Sequence, residues 1–230
     1  MTVLSSALSA NLDVGRSVIL ETALQIAQDW GWPVFPCAAN KKPCIAKEEG
    51  GQGFLDASTD PEVIRRLFRH RGAKLIGVPT GEASGVDALD LDYRHGADVF
   101  EAANAHRLPE TRAHRTQNGG RHLLFRHTPG VVNSESRIAS GVDVRGAGGY
   151  IITPPSPGYS VDSDAEIADW PEWLLPDALP KPFEPRPARG DSASGSAVSD
   201  KRLSALIAAI IERVRQAPEG QKHSILRCIS

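Results

Sequence analysis

The segment VDALDLD, residues 86–92, interleaves Leu89 and Leu91 with Asp90 and Asp92, so apolar and anionic side chains alternate with a period of two. That period belongs to a β-strand, where successive side chains point to opposite faces. Such a strand buries its leucines and presents both carboxylates on one surface. Carboxylates held that close repel each other, and a retained proton or a bound divalent cation relieves the repulsion. Oxygen-only ligation favours Mg²⁺ or Mn²⁺ over zinc. Solvated aspartates on an edge strand have the same spacing, so the pair acquires meaning only from what other strands place beside it.

Two further segments follow the same parity. In GVDVRG, Val142 and Val144 face inward and leave Asp143 and Arg145 together on the other face. This adds a third carboxylate, and a guanidinium suited to bidentate phosphate contact; an ordinary surface ion pair of small energetic value has the same pattern. In TQNGGRHLLF, Leu123 and Phe125 alternate inward while His122 points outward. The Gly119-Gly120 turn beside it carries no Cβ and admits close approach of a ligand. Three strands thus turn acids, a histidine and an arginine away from apolar inner faces.

Around these strands the chain alternates helices with strands. SVILETALQIAQDWGW repeats apolar residues at helical spacing up to Gly31, a C-terminal cap, and PVFPC follows as a strand. Asp60 before Pro61 is a good N-cap for a helix that Gly72 closes. KLIGVPTG and GVDALDLD read as strands with a Gly-rich turn between them, ADVFEAANAHRL as a helix, and GRHLLFRHT, GVDVRG and GYIITPP as three more strands. The class is α+β or α/β. We expect a flexible N-terminus over 1–16, one folded domain over 17–180, a Pro/Gly/Ser/Ala-rich linker over 181–200, and a helical tail over 201–230 that starts a further domain or contacts a partner.

With 230 residues and 40% hydrophobic content the chain can bury a substantial core. Its 26 basic and 28 acidic side chains give a formal charge of −2, which excludes a global positive field as the means of recruiting nucleic acid. Basic density is local: Arg65, Arg66, Arg69, Arg71 and Lys74 form either a nucleic-acid contact surface or a solvated helix face. Without a leader-like N-terminus or a membrane-length apolar run, a cytoplasmic location and no membrane partner are expected. Cys37, Cys44 and Cys228 are an odd set without a CxxC pair, which argues against a disulfide framework and a four-thiolate zinc site. Trp170 and Trp173, near the domain end, are expected in the core rather than stacked on bases.

Taken in order, ALQIAQDWGWPVFPCAANKKP, GFLDASTDPEVIRRLF, IGVPTGEASGVDALDLD, LPETRAHRTQNGGRHLLFR, GVDVRGAGGYIITPPS and WPEWLL resemble the bifunctional primase/polymerase N-terminal (prim-pol) domains of the archaeo-eukaryotic primase superfamily, common in plasmids, phages and integrated elements. The resemblance spans about residues 18–180. It implies an α+β fold, with an RNA-recognition-motif-like catalytic sheet packed against an N-terminal α/β module. It implies a DNA primase or polymerase that acts on nucleoside triphosphates over a single-stranded DNA template, with two Mg²⁺ or Mn²⁺ ions and no zinc, and a replicative helicase or other replication protein as partner. On that match Asp90, Asp92 and Asp143 are metal ligands and His122 contacts the incoming triphosphate, with Thr116, Gly119, Gly120 and Arg145 beside it. Lys42 is a further candidate for nucleotide or nucleic-acid contact, and Asn118 stands where relatives carry a small or hydroxyl residue before Gly-Gly. Two other readings use the same residues: a metal-dependent nuclease, and a non-catalytic nucleic-acid-binding replication module.

Overall fold

The computed structural model describes residues 17–180; the N-terminal segment, the expected linker and the expected helical tail lie outside the described residues. Helix α1, residues 17–30, buries Ala23, Ile26 and Ala27 on one face. It ends at Gly31, whose φ of +65° and N–H bond to the Ala27 carbonyl (3.1 Å) form the expected cap. Strand β1 (Phe35–Cys37) follows, then α2 (Pro61–Phe68), where the Asp60 carboxylate accepts from the Glu62 N–H at 2.8 Å. The chain continues through β2 (Leu75–Pro79), β3 (Val86–Leu91), α3 (Ala97–Asn104), β4 (Ala113–Arg115), β5 (Arg121–Arg126), β6 (Ser134–Ala139), β7 (Val142–Arg145), β8 (Tyr150–Ile152), β9 (Ser160–Ser163) and α4 (Leu175–Ala178).

The strands form two antiparallel sheets, ordered β1-β2-β8 and β6-β7-β3-β5-β4-β9, so the arrangement is α+β. The Gly-rich segment between β2 and β3 turns through an antiparallel bridge between Gly81 and Val86, but β2 and β3 do not pair; it carries the chain from the small sheet to the large one. The return crossing runs through Gly146–Gly149. Thr80 holds the two crossings together, donating from Oγ1 to the Gly146 carbonyl (2.7 Å) and from its N–H to the Gly149 carbonyl (3.0 Å).

Strand β3 is buried on both faces over most of its length. Val86 and Ala88 join α1, α2, Ile76 and Leu124 in one apolar cluster, while Leu89 and Leu91 join Leu123, Phe125, Val142, Val144 and Leu174 in a second. The parity expected for Leu89/Leu91, Leu123/Phe125 and Val142/Val144 is therefore what the sheet adopts. On the leucine face Asp87 is fully buried, with the Thr128 N–H (3.1 Å) and Trp170 Nε1–H (3.0 Å) donating to it and His127 Nδ1 at 2.8 Å. Burial pushes its carboxyl up from the ordinary value, against the hydrogen bonds from His127, Thr128 and Trp170. Trp170 also packs on Phe125 (4.6 Å between ring centroids), which ties the end of the domain to the sheet. Cys37 is buried among Phe35, Leu75 and Ile152, and Cys37 and Cys44 are both free thiols. Among the described residues no helix is long and apolar enough to cross a membrane.

Candidate active site

The face of β3 that packs on the small sheet at Ala88 opens into a cavity two residues later, at Asp90. Asp90 stands in register with Asp143 of β7 on one side and His122 of β5 on the other, and His122 stands opposite His114 of β4. Four strands therefore carry one row, Asp143, Asp90, His122, His114. One step back on the same face, Arg145 is opposite Ala88, whose methyl leaves it room to lean along the sheet. Its Nη2 donates to Asp143 Oδ2 (2.8 Å) and Asp90 Oδ2 (3.1 Å), and its Nε to the same Asp90 oxygen (3.2 Å). A single guanidinium thus bridges two carboxylates that face each other across a strand pair and offsets half of their charge.

Asp92 faces the same cavity but is no longer in the strand. β3 ends at Leu91, and Asp92 caps the short turn Tyr93–His95, accepting from the Arg94 N–H (3.1 Å). Its carboxylate is also held by Arg94 Nε (3.0 Å) and Nη2 (2.7 Å), with His95 Nδ1 at 3.0 Å. Hydrogen bonds from Arg94 above all hold Asp92 well below the usual carboxylate range. The sequence pattern alone placed Asp90 and Asp92 as equivalent strand positions; the turn gives Asp92 its own partners.

His122 is 6% exposed, with the Tyr159 ring beside it at 6.3 Å between ring centroids. Burial lowers its pKa, against the pull of the Asp90 carboxylate 3.5 Å from Nε2. Its Nδ1 has no hydrogen-bond partner among the described residues. His114 is likewise buried, and desolvation pushes it down to about 3.

Asp90, Asp92, His122, Asp143, Arg145 and Thr116 line one cavity of about 340 Å³, so the structure brings together most of the residues singled out from the sequence. Gly119 and Gly120 form the β4–β5 turn, and a Cβ on Gly120 would stand 2.1 Å from the Leu91 carbonyl oxygen. The bare backbone there admits β3 itself. Lys42 is exposed and does not line the cavity, whereas its neighbour Lys41 does. Arg65, Arg66, Arg69 and Arg71 are exposed and Lys74 half-buried, all outside the cavity, and Arg65 is paired with Glu62 at 2.7 Å. Lining residues that sequence reasoning missed include the polar side chains of Lys41, Arg94, Asn133, Tyr150 and Tyr159. Tyr159 is raised to about 12 by burial and by the nearby Asp90.

The donor chemistry fits a hard divalent cation: three carboxylates on one cavity, two of them already drawn to a shared positive charge. Among the described residues no three His, Cys, Asp or Glu side chains surround one point as they stand, because Arg145 sits between two of the acids and Arg94 and His95 hold the third.

A family model described as bifunctional DNA primase/polymerase, N-terminal, matches residues 23–173. No curated protein matches the chain.

Proposed function

The chain belongs to the bifunctional DNA primase/polymerase N-terminal family, and from that membership we propose that it is a template-dependent nucleotidyl transferase of a plasmid, phage or integrated mobile element. It extends or starts a strand from nucleoside triphosphates on single-stranded DNA. The observation that supports this most is the cross-strand row of Asp143, Asp90 and His122 beside Arg145, on the wall of one cavity. We read the six-stranded sheet as the RNA-recognition-motif-like catalytic sheet, the small sheet with α1 and α2 as the N-terminal module, and 17–180 as the catalytic domain.

Asp90, Asp92 and Asp143 would hold two Mg²⁺ or Mn²⁺ ions, which supply activation of a 3′ hydroxyl and neutralisation of charge developing at the α-phosphate. The protein's own work is positioning and preorganised charge. Arg145, released from the two carboxylates it now bridges, offers a planar fork to triphosphate oxygens. His122 is buried with an unpartnered Nδ1, and it contacts the triphosphate by hydrogen bonding. Thr116 and Asn118, at the turn beside it, complete the polar lining. A replicative helicase or other replication protein is the partner class this activity calls for.

The test is incorporation of labelled nucleotides on a single-stranded template, with and without primer. Metal-dependent product supports the proposal, and the primer-free lane separates priming from extension. Degradation of the template without added nucleotides would instead indicate a nuclease. Metal-independent binding with no product would indicate a binding module.

A further inference from the structure

The cavity contains a cation that the acidic row does not account for. Lys41 lies in the turn after β1, where its N–H donates to the Ala38 carbonyl and the Ala38 N–H to the Lys42 carbonyl, each at 2.8 Å. Its φ is +70°, in the left-handed region that glycine takes freely and a residue with a Cβ adopts only at a cost. Tyr150 of β8 pins the turn by donating from its hydroxyl to the Lys41 carbonyl at 3.1 Å. The half-buried side chain enters the cavity, with Nζ 5.9 Å from the Tyr159 ring centroid, and Tyr159 in turn lies beside His122.

Lys41, Arg94 and Arg145 are the Lys and Arg side chains lining the cavity among the described residues. Arg94 is committed to Asp92, and Arg145 to Asp90 and Asp143. Lys41 takes part in none of the ion pairs among the described residues. With no carboxylate partner among the described residues, its ammonium is left available to an anion that enters the cavity. Strained backbone of this kind clusters at active sites and ligand clamps.

We propose, resting on the function given above, that Lys41 Nζ binds a phosphate of the incoming nucleoside triphosphate from the small-sheet side of the cavity. An ammonium suits this task because it is a compact charge with three donors and accepts any phosphate oxygen without a fixed plane. Lys41 is then a positioning residue supplied by the N-terminal module, facing the acidic row on the other sheet.

The experiment measures equilibrium binding of deoxyadenosine triphosphate in Mg²⁺, and separately of a single-stranded oligothymidine. It compares the unmodified protein with Lys41→Gly, Lys41→Gln and, as a control for charge, Lys47→Ala, an exposed site in the turn Lys47–Glu49. Glycine suits a φ of +70°, so Lys41→Gly should unfold at an unchanged or higher temperature while lacking the ammonium. Triphosphate binding should weaken at least about tenfold in both Lys41 variants. Oligothymidine binding should stay within twofold, and Lys47→Ala should match the unmodified protein. Triphosphate affinity within twofold in the Lys41 variants would overturn the inference, as would a loss confined to oligothymidine, which would place Lys41 on the template strand. If the unmodified protein binds triphosphate but incorporates none, the proposed function fails while the role of Lys41 is still decided by the binding comparison.

Discussion

Asp90 stands in register with Asp143 across β3 and β7, and their carboxylates share the guanidinium of Arg145. Like charges directly opposite on a sheet are destabilising, so this pair needs a cation between its members. Removing the guanidinium should leave that need to be met from solution. Arg145→Gln is therefore expected to lose about 1 kcal/mol of stability in chelator, and to recover more on addition of Mg²⁺ or Mn²⁺ than the unmodified protein does. Thermal unfolding with and without metal reads both effects; equal metal responses in the two proteins would contradict the shared-cation picture.

His114 predicts an acid dependence. Its folded pKa is pushed down to about 3 from an ordinary 6.5, so between those values the unfolded chain holds a proton that the folded chain lacks. Stability therefore rises with pH through this window; the contribution is complete above 6.5 and is lost as pH falls towards 3. At about 1.4 kcal/mol per pH unit, the loss on going from about pH 6.5 to about pH 4.5 is roughly 2–3 kcal/mol. His114→Leu should show that much less acid sensitivity in urea unfolding. Matching pH slopes would show that His114 is not buried in its neutral form.

Asp87 is expected to matter for stability rather than chemistry. Asp87→Ala would leave the Trp170 Nε1–H, the Thr128 N–H and His127 without their buried acceptor. The expected cost is about 3–5 kcal/mol, with Asp87→Asn milder because one oxygen remains to accept. Denaturant unfolding measures it, and tryptophan emission should report wetting of Trp170. A loss below about 0.5 kcal/mol, the ordinary range for a surface substitution, would be incompatible with this network.

The exposed arginines of α2 and the turn after it provide a separate test for template binding. If Arg66 and Arg69 contact phosphates, Arg66→Glu with Arg69→Glu should weaken binding of single-stranded DNA. It should also flatten the dependence of log K on log salt by about 0.7 per lost contact. Salt titrations decide it: an unchanged slope would identify these side chains as a solvated helix face.

The period-two rule made much of the site legible, because side-chain direction in a strand is a local property. Asp143 and Arg145 separated from Val142 and Val144, and His122 from Leu123 and Phe125, as alternation requires. What stayed hidden depends on contacts distant in sequence. Tyr159 reaches His122, and Lys41 reaches Tyr159, only because the chain crosses between two sheets; the sequence pattern pointed to Lys42 rather than to its neighbour. Asp87 sits on the leucine face against expectation for a carboxylate, and its indole partner is 83 residues away. Strands β4, β6 and β9 escaped notice because Ala-His-Arg, Ser-Glu-Ser-Arg-Ile-Ala and Ser-Val-Asp-Ser lack a run of alternating apolar residues; β6 and β9 are the edges of the large sheet. Asp92 kept its place on the cavity and an extended backbone but lies one residue beyond the end of β3, where Arg94 and His95 follow it closely enough to build a capped turn.

The most direct measurement compares nucleotide incorporation by the unmodified protein and by Asp90→Asn on a primed single-stranded template in Mg²⁺ and in Mn²⁺. Metal-dependent product is expected from the first. From the second, the expected rate is lower by about a thousandfold or more, the equivalent of roughly 4 kcal/mol of transition-state stabilisation, with unfolding behaviour close to unmodified. Near-equal rates, or product that persists in chelator, would contradict the assignment of the acidic row as the catalytic centre.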